Sequence, residues 1–382
     1  MFFLQSQWLA LEQALMWLIT LSKKIRNLIN FLPYSIFSSE KTIPPRNPSS
    51  ILILDFHLIG DIVLLTPVLN ELRKNNPNAH IGLASGVWAK HVLKNHPDLY
   101  DSFYPISAPW VTYSYNLKSW YLLLCALIDI RKSKWELGIE IRGDVRQILM
   151  LRMCNAKHRV GYDFTGGSRL LTSVVKDDGN IKHILEHHFQ IVKHLYIETK
   201  FRNFKPELWI SDDEIKSSCH KPRGVVLHFG GSMPLKIFSN RIALKVLKKV
   251  LQNYPENIIL FNTIDQSEII KYILNNISEY DLKRIEVKSI PLREFIVEVS
   301  KSTTFIGMDS AGGHIASALS VPTRVIYGPT SPDYCKPIGL DVKVIYLDDE
   351  RVPCRPCDQK KCIHNEYQYC LEMIDVNEII KK

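Results

Sequence analysis

Four sets of residues in this chain have the types and spacing to do chemistry. The first is Gly307-Met308-Asp309-Ser310-Ala311-Gly312-Gly313-His314, led into by the apolar run Thr304-Phe305-Ile306. A small-residue helix pattern follows from about Gly313. A strand that ends in a loop at a helix N-terminus presents free N–H groups and a positive dipole end, which suits a phosphate. Small residues let a ligand approach the backbone. Asp309 stands where a carboxylate can accept hydrogen bonds from a ribose or a base amine. The second set is Gly60-Asp61, after the apolar run Ile51–Leu54. A carboxylate there can act as a general base or as a helix cap, and the residues alone favour the cap, which is common at such turns. The third is Gly230-Gly231-Ser232 with Lys236 close behind, able to donate to phosphates.

The fourth is Cys354-x2-Cys357-x4-Cys362-x7-Cys370. Four thiolates so spaced can hold zinc or iron tetrahedrally, in a structural role because no base lies nearby. His183-Ile184-Leu185-Glu186-His187 has the spacing of an inverted zinc-peptidase motif. Such spacings arise often by chance, and no third ligand is evident. It reads better as part of a helix that lies away from both motif loops.

The elements that must carry these residues follow from hydrophobic patterning. Strands are expected at 51–54, 80–84, 103–106 and 137–141, then again at 225–229, 258–261, 285–287 and 304–306, with one more leading to Gly328. Helices alternate with them, notably over 62–73, 241–252, 266–277 and 292–301. Alternation of this kind predicts an α/β fold of doubly wound parallel sheets. The pattern restarts after a crossing at about 208–223, so two Rossmann-like units are expected to face a cleft at the carboxyl ends of their strands. The boundaries are 1–49 for an N-terminal apolar helix and linker, 50–215 and 216–350 for the two units, and 351–382 for the Cys-rich segment and a C-terminal helix. Residues 120–130 form a helix that is apolar nearly all round, hence deeply buried or membrane-facing.

Composition narrows the classes. The 382 residues suffice for two cores, and 46% hydrophobic with 23% charged content is that of a globular protein. A net charge of +9 suits an anionic ligand or an anionic membrane surface. Nucleic acid is not expected, because no basic run, zinc-finger spacing or RNA-binding aromatic signature is present. Eight scattered or clustered cysteines in so long a chain do not make a disulfide scaffold, which favours a reducing compartment. In residues 1–32 the apolar stretch Trp8–Leu21 is broken by Glu12 and Gln13 and followed by Lys23, Lys24 and Arg26. It lacks the marks of a signal peptide and falls short of the roughly 20 apolar residues that span a bilayer. It suits an interfacial helix on the inner membrane face, or a helix packed on the protein itself.

Taken together, the motifs resemble those of bacterial ADP-heptose:lipopolysaccharide heptosyltransferases, glycosyltransferase family nine. Gly60-Asp61-Ile62-Val63-Leu64-Leu65-Thr66-Pro67 with Leu72-Arg73 is similar to the opening motif. Asp309 through His314, with Ala316, Ala318, Pro322 and Gly328-Pro329, is similar to the nucleotide-sugar motif. The resemblance implies a GT-B fold and an inverting transfer with no metal in catalysis. The donor would be an ADP-sugar, ADP-L-glycero-β-D-manno-heptose, and the acceptor a lipid-linked lipopolysaccharide core glycan. The enzyme would be cytoplasmic, with peripheral contact at the inner membrane face. It assigns Asp61 as the base and Lys236 as the stabiliser of the leaving diphosphate. Gly231 and Ser232 would donate to the same phosphates. Asp309 would meet the ribose or adenosine, Ser310, Ala311 and Gly312 the diphosphate, His314 would add a donor, and Ile290 would line the base pocket. The chain departs from the pattern at Asp55, where relatives carry Lys or Arg, so His57 becomes the candidate cation. The relatives' autotransporter subgroup uses a cysteine-bound iron, whereas similar cysteines elsewhere in the family are not thought to bind metal. Two other readings are a protein heptosyltransferase and a catalytically silent sugar-nucleotide-binding protein of the envelope.

Overall fold

The computed structural model describes residues 39–382 apart from 97, 113, 178, 217–223, 264, 265, 358–360 and 382. The expected interfacial helix in residues 1–32 lies outside these residues. Two six-stranded parallel sheets organise the chain, in the orders β3-β2-β1-β4-β5-β6 and β12-β11-β10-β7-β8-β9. The first comprises β1 (Ser50–Asp55), β2 (His80–Ser85), β3 (Ser102–Pro105), β4 (Leu137–Glu140), β5 (His158–Gly161) and β6 (Ser173–Val174). The second comprises β7 (Val225–His228), β8 (Ile258–Phe261), β9 (Ile285–Lys288), β10 (Thr304–Met308), β11 (Thr323–Ile326) and β12 (Val342–Ile345). Within each half the order is that of a dinucleotide-binding sheet, so the winding reverses between β1 and β4 and again between β7 and β10. β1 and β10 are buried throughout, or nearly so, because helices cover both faces.

The main helices are α1 (Ile59–Asn75), α2 (Leu117–Arg131), α3 (Val145–Met153), α4 (Ile184–Leu195), α5 (Asn240–Asn253), α6 (Ser267–Asn275), α7 (Leu292–Ser300) and α8 (Ala311–Ala318). Among the described residues, none is long and apolar enough to cross a membrane. α1 and α8 pack on each other across the two halves, and one continuous apolar cluster includes residues of both. The C-terminal residues Val352, Leu371, Ile374, Val376 and Ile379 join the core of the second half. Residues 39–42 lie along the far edge of the first sheet. The Ser39 and Thr42 N–H groups donate to the Arg169 and Thr172 carbonyls.

α2 resolves an ambiguity in the sequence. Only Leu123, Leu127 and Ile130 are buried on it, so the helix lies on the surface with apolar residues facing outward.

A charged clasp joins the halves beside the crossing. Glu214 accepts from Arg293 of α7 at 2.6 and 2.9 Å, and from Lys94 and Asn95 of the first half at 3.1 and 2.7 Å. The hydrogen bond from Arg293 first, with help from Lys94, holds the Glu214 carboxyl at about 2. A lowered carboxylate contributes stability above its ordinary value near 4.5 and loses it as pH falls toward 2. Glu214→Ala should therefore cost about 2 kcal/mol at neutral pH, reduced by its partial exposure, and little at pH 2. Thermal unfolding of the two proteins across that pH range checks this.

Candidate active site

The segments that follow β1, β7 and β10, three of the four strands at the winding reversals, line one cleft of about 580 Å³. β1 leads through Phe56, His57 and Leu58 into α1. Asp61 is the third residue of that helix rather than part of the turn before it. Its Oδ2 accepts from the Leu58 N–H at 3.1 Å, half of a capping box, so capping occurs and still leaves the other oxygen. That oxygen, Oδ1, accepts from Arg142 Nη1 at 3.2 Å. Both side chains are about one-fifth exposed, at 21% and 20%.

Arg142 comes from the loop after β4, and sequence reasoning missed it. Its signal was a cation just beyond a buried parallel strand. Burial lowers its pKa, but Asp61 above all, with Tyr334 and Asp55, outweighs burial and the net shift is upward. Glu140 lies beneath, fully buried, and accepts from the Arg142, Gly143 and Asp144 N–H groups. Burial raises its carboxyl well above the usual range.

Asp55 is also fully buried. Burial raises its carboxyl, but the hydrogen bonds and charge of His57, with Arg142, outweigh it, and the net shift is downward. His57 Nδ1 lies 2.8 Å from Asp55 Oδ1. So His57 is the partner of Asp55, and the cation beside Asp61 is Arg142.

The opposite wall is built by the second sheet. Gly230 and Gly231 follow β7 and lie against Gln266 and Lys236. A Cβ on Gly230 would fall 2.4 Å from Gln266 Nε2, and one on Gly231 would fall 2.9 Å from the Lys236 Cβ. Lys236 closes a short 3-10 turn, Pro234–Lys236, and its Nζ donates to Asp309 Oδ2 at 2.5 Å. Thr330 Oγ1 donates to the same oxygen at 2.6 Å. The carboxylate that the resemblance assigns to the ribose is here the partner of the lysine. Ser310 caps α8 in extended conformation, its Oγ 3.4 Å from His228 Nδ1. The first N–H groups of α8 lie beyond its hydrogen-bond ladder, and Ser310, Ala311 and Gly312 at that end line the cleft. Ser232, Ala311 and Gly312 line the same cleft, and Ile290, Phe261, Phe295 and Trp88 supply apolar wall.

His314 sits where the halves touch. A Cβ on Gly60 would fall 3.0 Å from His314 Cδ2 and 3.7 Å from the Ala311 Cα. Burial lowers the imidazole to about 4 against the pull of Asp309 and Asp61, so it is neutral at neutral pH. Among the described residues its Nδ1 has no hydrogen-bond partner. Gly60→Val would wedge α1 from α8. It is expected to lower transfer about tenfold or more while isolated ADP affinity changes little, as paired calorimetry and kinetics would show.

The other sequence candidates separate from this cleft. His183 is the N-cap of α4: its Nδ1 accepts from the Leu185 N–H at 3.1 Å and its Nε2 lies 2.8 Å from the Lys336 carbonyl. Both ring nitrogens are engaged, so the peptidase-like spacing forms no ligand pair. Cys354, Cys357, Cys362 and Cys370 line one small cavity on the flank of the second half. Burial raises the Cys370 thiol to about 11, and the Gln368 N–H donates to Cys362 Sγ at 3.3 Å. Among the described residues, no group of three or more His, Cys, Asp or Glu is disposed to hold a metal ion.

Comparison with known proteins agrees with this architecture. The chain is 22% identical over 354 residues to lipopolysaccharide heptosyltransferase 1 of Campylobacter coli, covering 87% of this chain and 97% of that one. It is 21% identical over 308 residues to lipopolysaccharide heptosyltransferase 3 of Escherichia coli, covering 78% and 88%. Its fold is similar to that of a family 9 glycosyltransferase from Veillonella parvula, with TM-score 0.70, 16% identity and coverage of 90% and 97%. It is also similar to E. coli ADP-heptose lipopolysaccharide heptosyltransferase II, with TM-score 0.66, 17% identity and coverage of 87% and 96%. Residues 127–368 match the description glycosyltransferase family 9 (heptosyltransferase), and with that match over most of its length the chain belongs to this family of glycosyltransferases.

Proposed function

We propose that this enzyme transfers heptose from ADP-L-glycero-β-D-manno-heptose to a lipopolysaccharide core glycan, with inversion at the anomeric carbon. The observation that carries the reading is the division of charge across the cleft. A carboxylate held by a cation, Asp61 with Arg142, lies on one wall. A cation held by a carboxylate, Lys236 with Asp309, lies on the other. A single displacement needs a base on one face of the sugar and a leaving-group stabiliser on the other.

The donor diphosphate lies against the N-terminus of α8 and Lys236, with Gly231 and Ser232 donating from the side. The adenine packs toward Ile290, Phe261 and Phe295. Asp61 takes the acceptor hydroxyl proton as its oxygen attacks, while Lys236 meets the charge that grows on the diphosphate. Arg142 keeps Asp61 turned into the cleft. Lys236 and the helix end supply the positive charge, and catalysis needs no metal. A zinc or iron at the four C-terminal cysteines would be structural, and one equivalent per chain in elemental analysis of the purified protein decides that question.

The relatives named for lipopolysaccharide favour the glycan acceptor over a protein acceptor. A lipid-linked acceptor places the enzyme at the inner face of the cytoplasmic membrane. A panel of nucleotide sugars offered with lipid-linked and protein acceptors tests the reading. Release of ADP from ADP-heptose with the lipid-linked acceptor is expected. Turnover with the protein acceptor alone would move the enzyme to the protein-modifying class, and no turnover of any donor would leave a silent binding protein.

A further inference from the structure

We propose that the outer face of α2 docks the first half on an anionic lipid bilayer. Leu117, Tyr121, Leu124 and Ile128 recur at intervals of four, three and four, which places them on one stripe. They are 89%, 66%, 48% and 54% exposed, with Leu122 beside them at 49%. The opposite face, through Leu123, Leu127 and Ile130, already packs on the sheet. Among the described residues the helix is therefore apolar on both faces, one covered by protein and one not. Single exposed leucines are ordinary, but a contiguous row of this size marks a contact surface.

The patch extends sideways. A groove of about 170 Å³ runs between α2 and α3, walled by Trp110, Trp120, Leu124, Met150 and Met153. Met153 is itself 38% exposed.

Charge chooses the occupant. Exposed Arg131, Lys132, Lys134, Arg152 and Lys157 gather at the C-terminal end of α2 and around Met153. Arg131 donates to the Met153 carbonyl at 2.9 Å, which fixes that end of α2 against α3. The acidic groups here are already engaged: Asp129 with Lys132 at 3.0 Å, and Glu136 with the Ser49 N–H and hydroxyl at 2.8 Å. An apolar stripe edged by more cations than carboxylates matches the acyl boundary and headgroups of anionic lipid. The surface does not depend on the choice of sugar donor.

Flotation of the full chain with phosphatidylglycerol/phosphatidylethanolamine vesicles at low salt tests it. Tyr121→Ser, Leu124→Ser and Ile128→Ser combined should lower the vesicle-bound fraction about tenfold, since three apolar groups leave the acyl boundary. These positions are exposed, and near-ultraviolet circular dichroism confirms that the variant is folded. Cys125, on the exposed side of the same helix, gives a second readout in the wild-type chain. Maleimide should modify the peptide of residues 119–131 readily in solution and slowly once these vesicles are added, with weaker protection by neutral phosphatidylcholine. Unchanged flotation of the triple variant overturns the proposal. So does Cys125 that is shielded before any lipid is added: exposure on dilution would assign the face to a second copy of the chain, and persistent shielding to residues 1–38.

Discussion

Asp61→Asn should lower transfer by about 10²–10⁴-fold, the usual loss on removing a general base. Affinity for ADP should stay within about threefold, because the base stands on the wall opposite the proposed nucleotide site. The amide is the informative substitution. It keeps an oxygen for the Leu58 N–H and so preserves the start of α1. Asp61→Ala would add a capping loss of about 1 kcal/mol to the catalytic one. Steady-state kinetics with calorimetric ADP titration separates the two effects. Turnover of Asp61→Asn within about threefold of wild type would remove this residue from the role of base.

The second large effect belongs to the pair on the other wall. Lys236→Ala should lower kcat by about 10²-fold with a smaller change in ADP affinity, since its charge acts on a leaving group that forms in the transition state. Asp309→Ala frees the lysine and Thr330 together, because one carboxylate oxygen holds both. It should therefore cost a comparable factor in rate, and also loosen ADP. The double variant should be little worse than Lys236→Ala alone, with a coupling of about 1–3 kcal/mol in the transition-state free energies. Additive losses would mean that Asp309 contacts the donor directly and acts apart from the lysine.

These two pairs show what was legible in the sequence. Asp61, Lys236 and Asp309 all follow strands that read as apolar runs, so order along the chain placed them in one cleft. Their partners were another matter. Nothing local to Asp309 and Lys236 predicts that they bond, since 73 positions separate them. Arg142 carried no motif, and a single arginine after a strand reads by default as surface. Its position becomes informative only once β4 is known to lie next to β1. The same limit explains the missed strands. β5 contains His158 and Arg159, β6 has two residues, and β12 carries a lysine, so none offers an apolar run. Pairing with a buried neighbour makes them strands. α2 shows the opposite limit. Its pattern announced an apolar helix, but periodicity cannot say which apolar face the fold will cover.

The most direct test of the central claim is the anomeric configuration of the product. Wild-type enzyme given ADP-L-glycero-β-D-manno-heptose and a lipopolysaccharide core acceptor should form an α-linked heptose and one equivalent of ADP, read by nuclear magnetic resonance of the product. Inversion is what a base on the first wall and a leaving-group site on the second require. A β-linked product would contradict the account, because retention calls for a different arrangement of groups around the sugar.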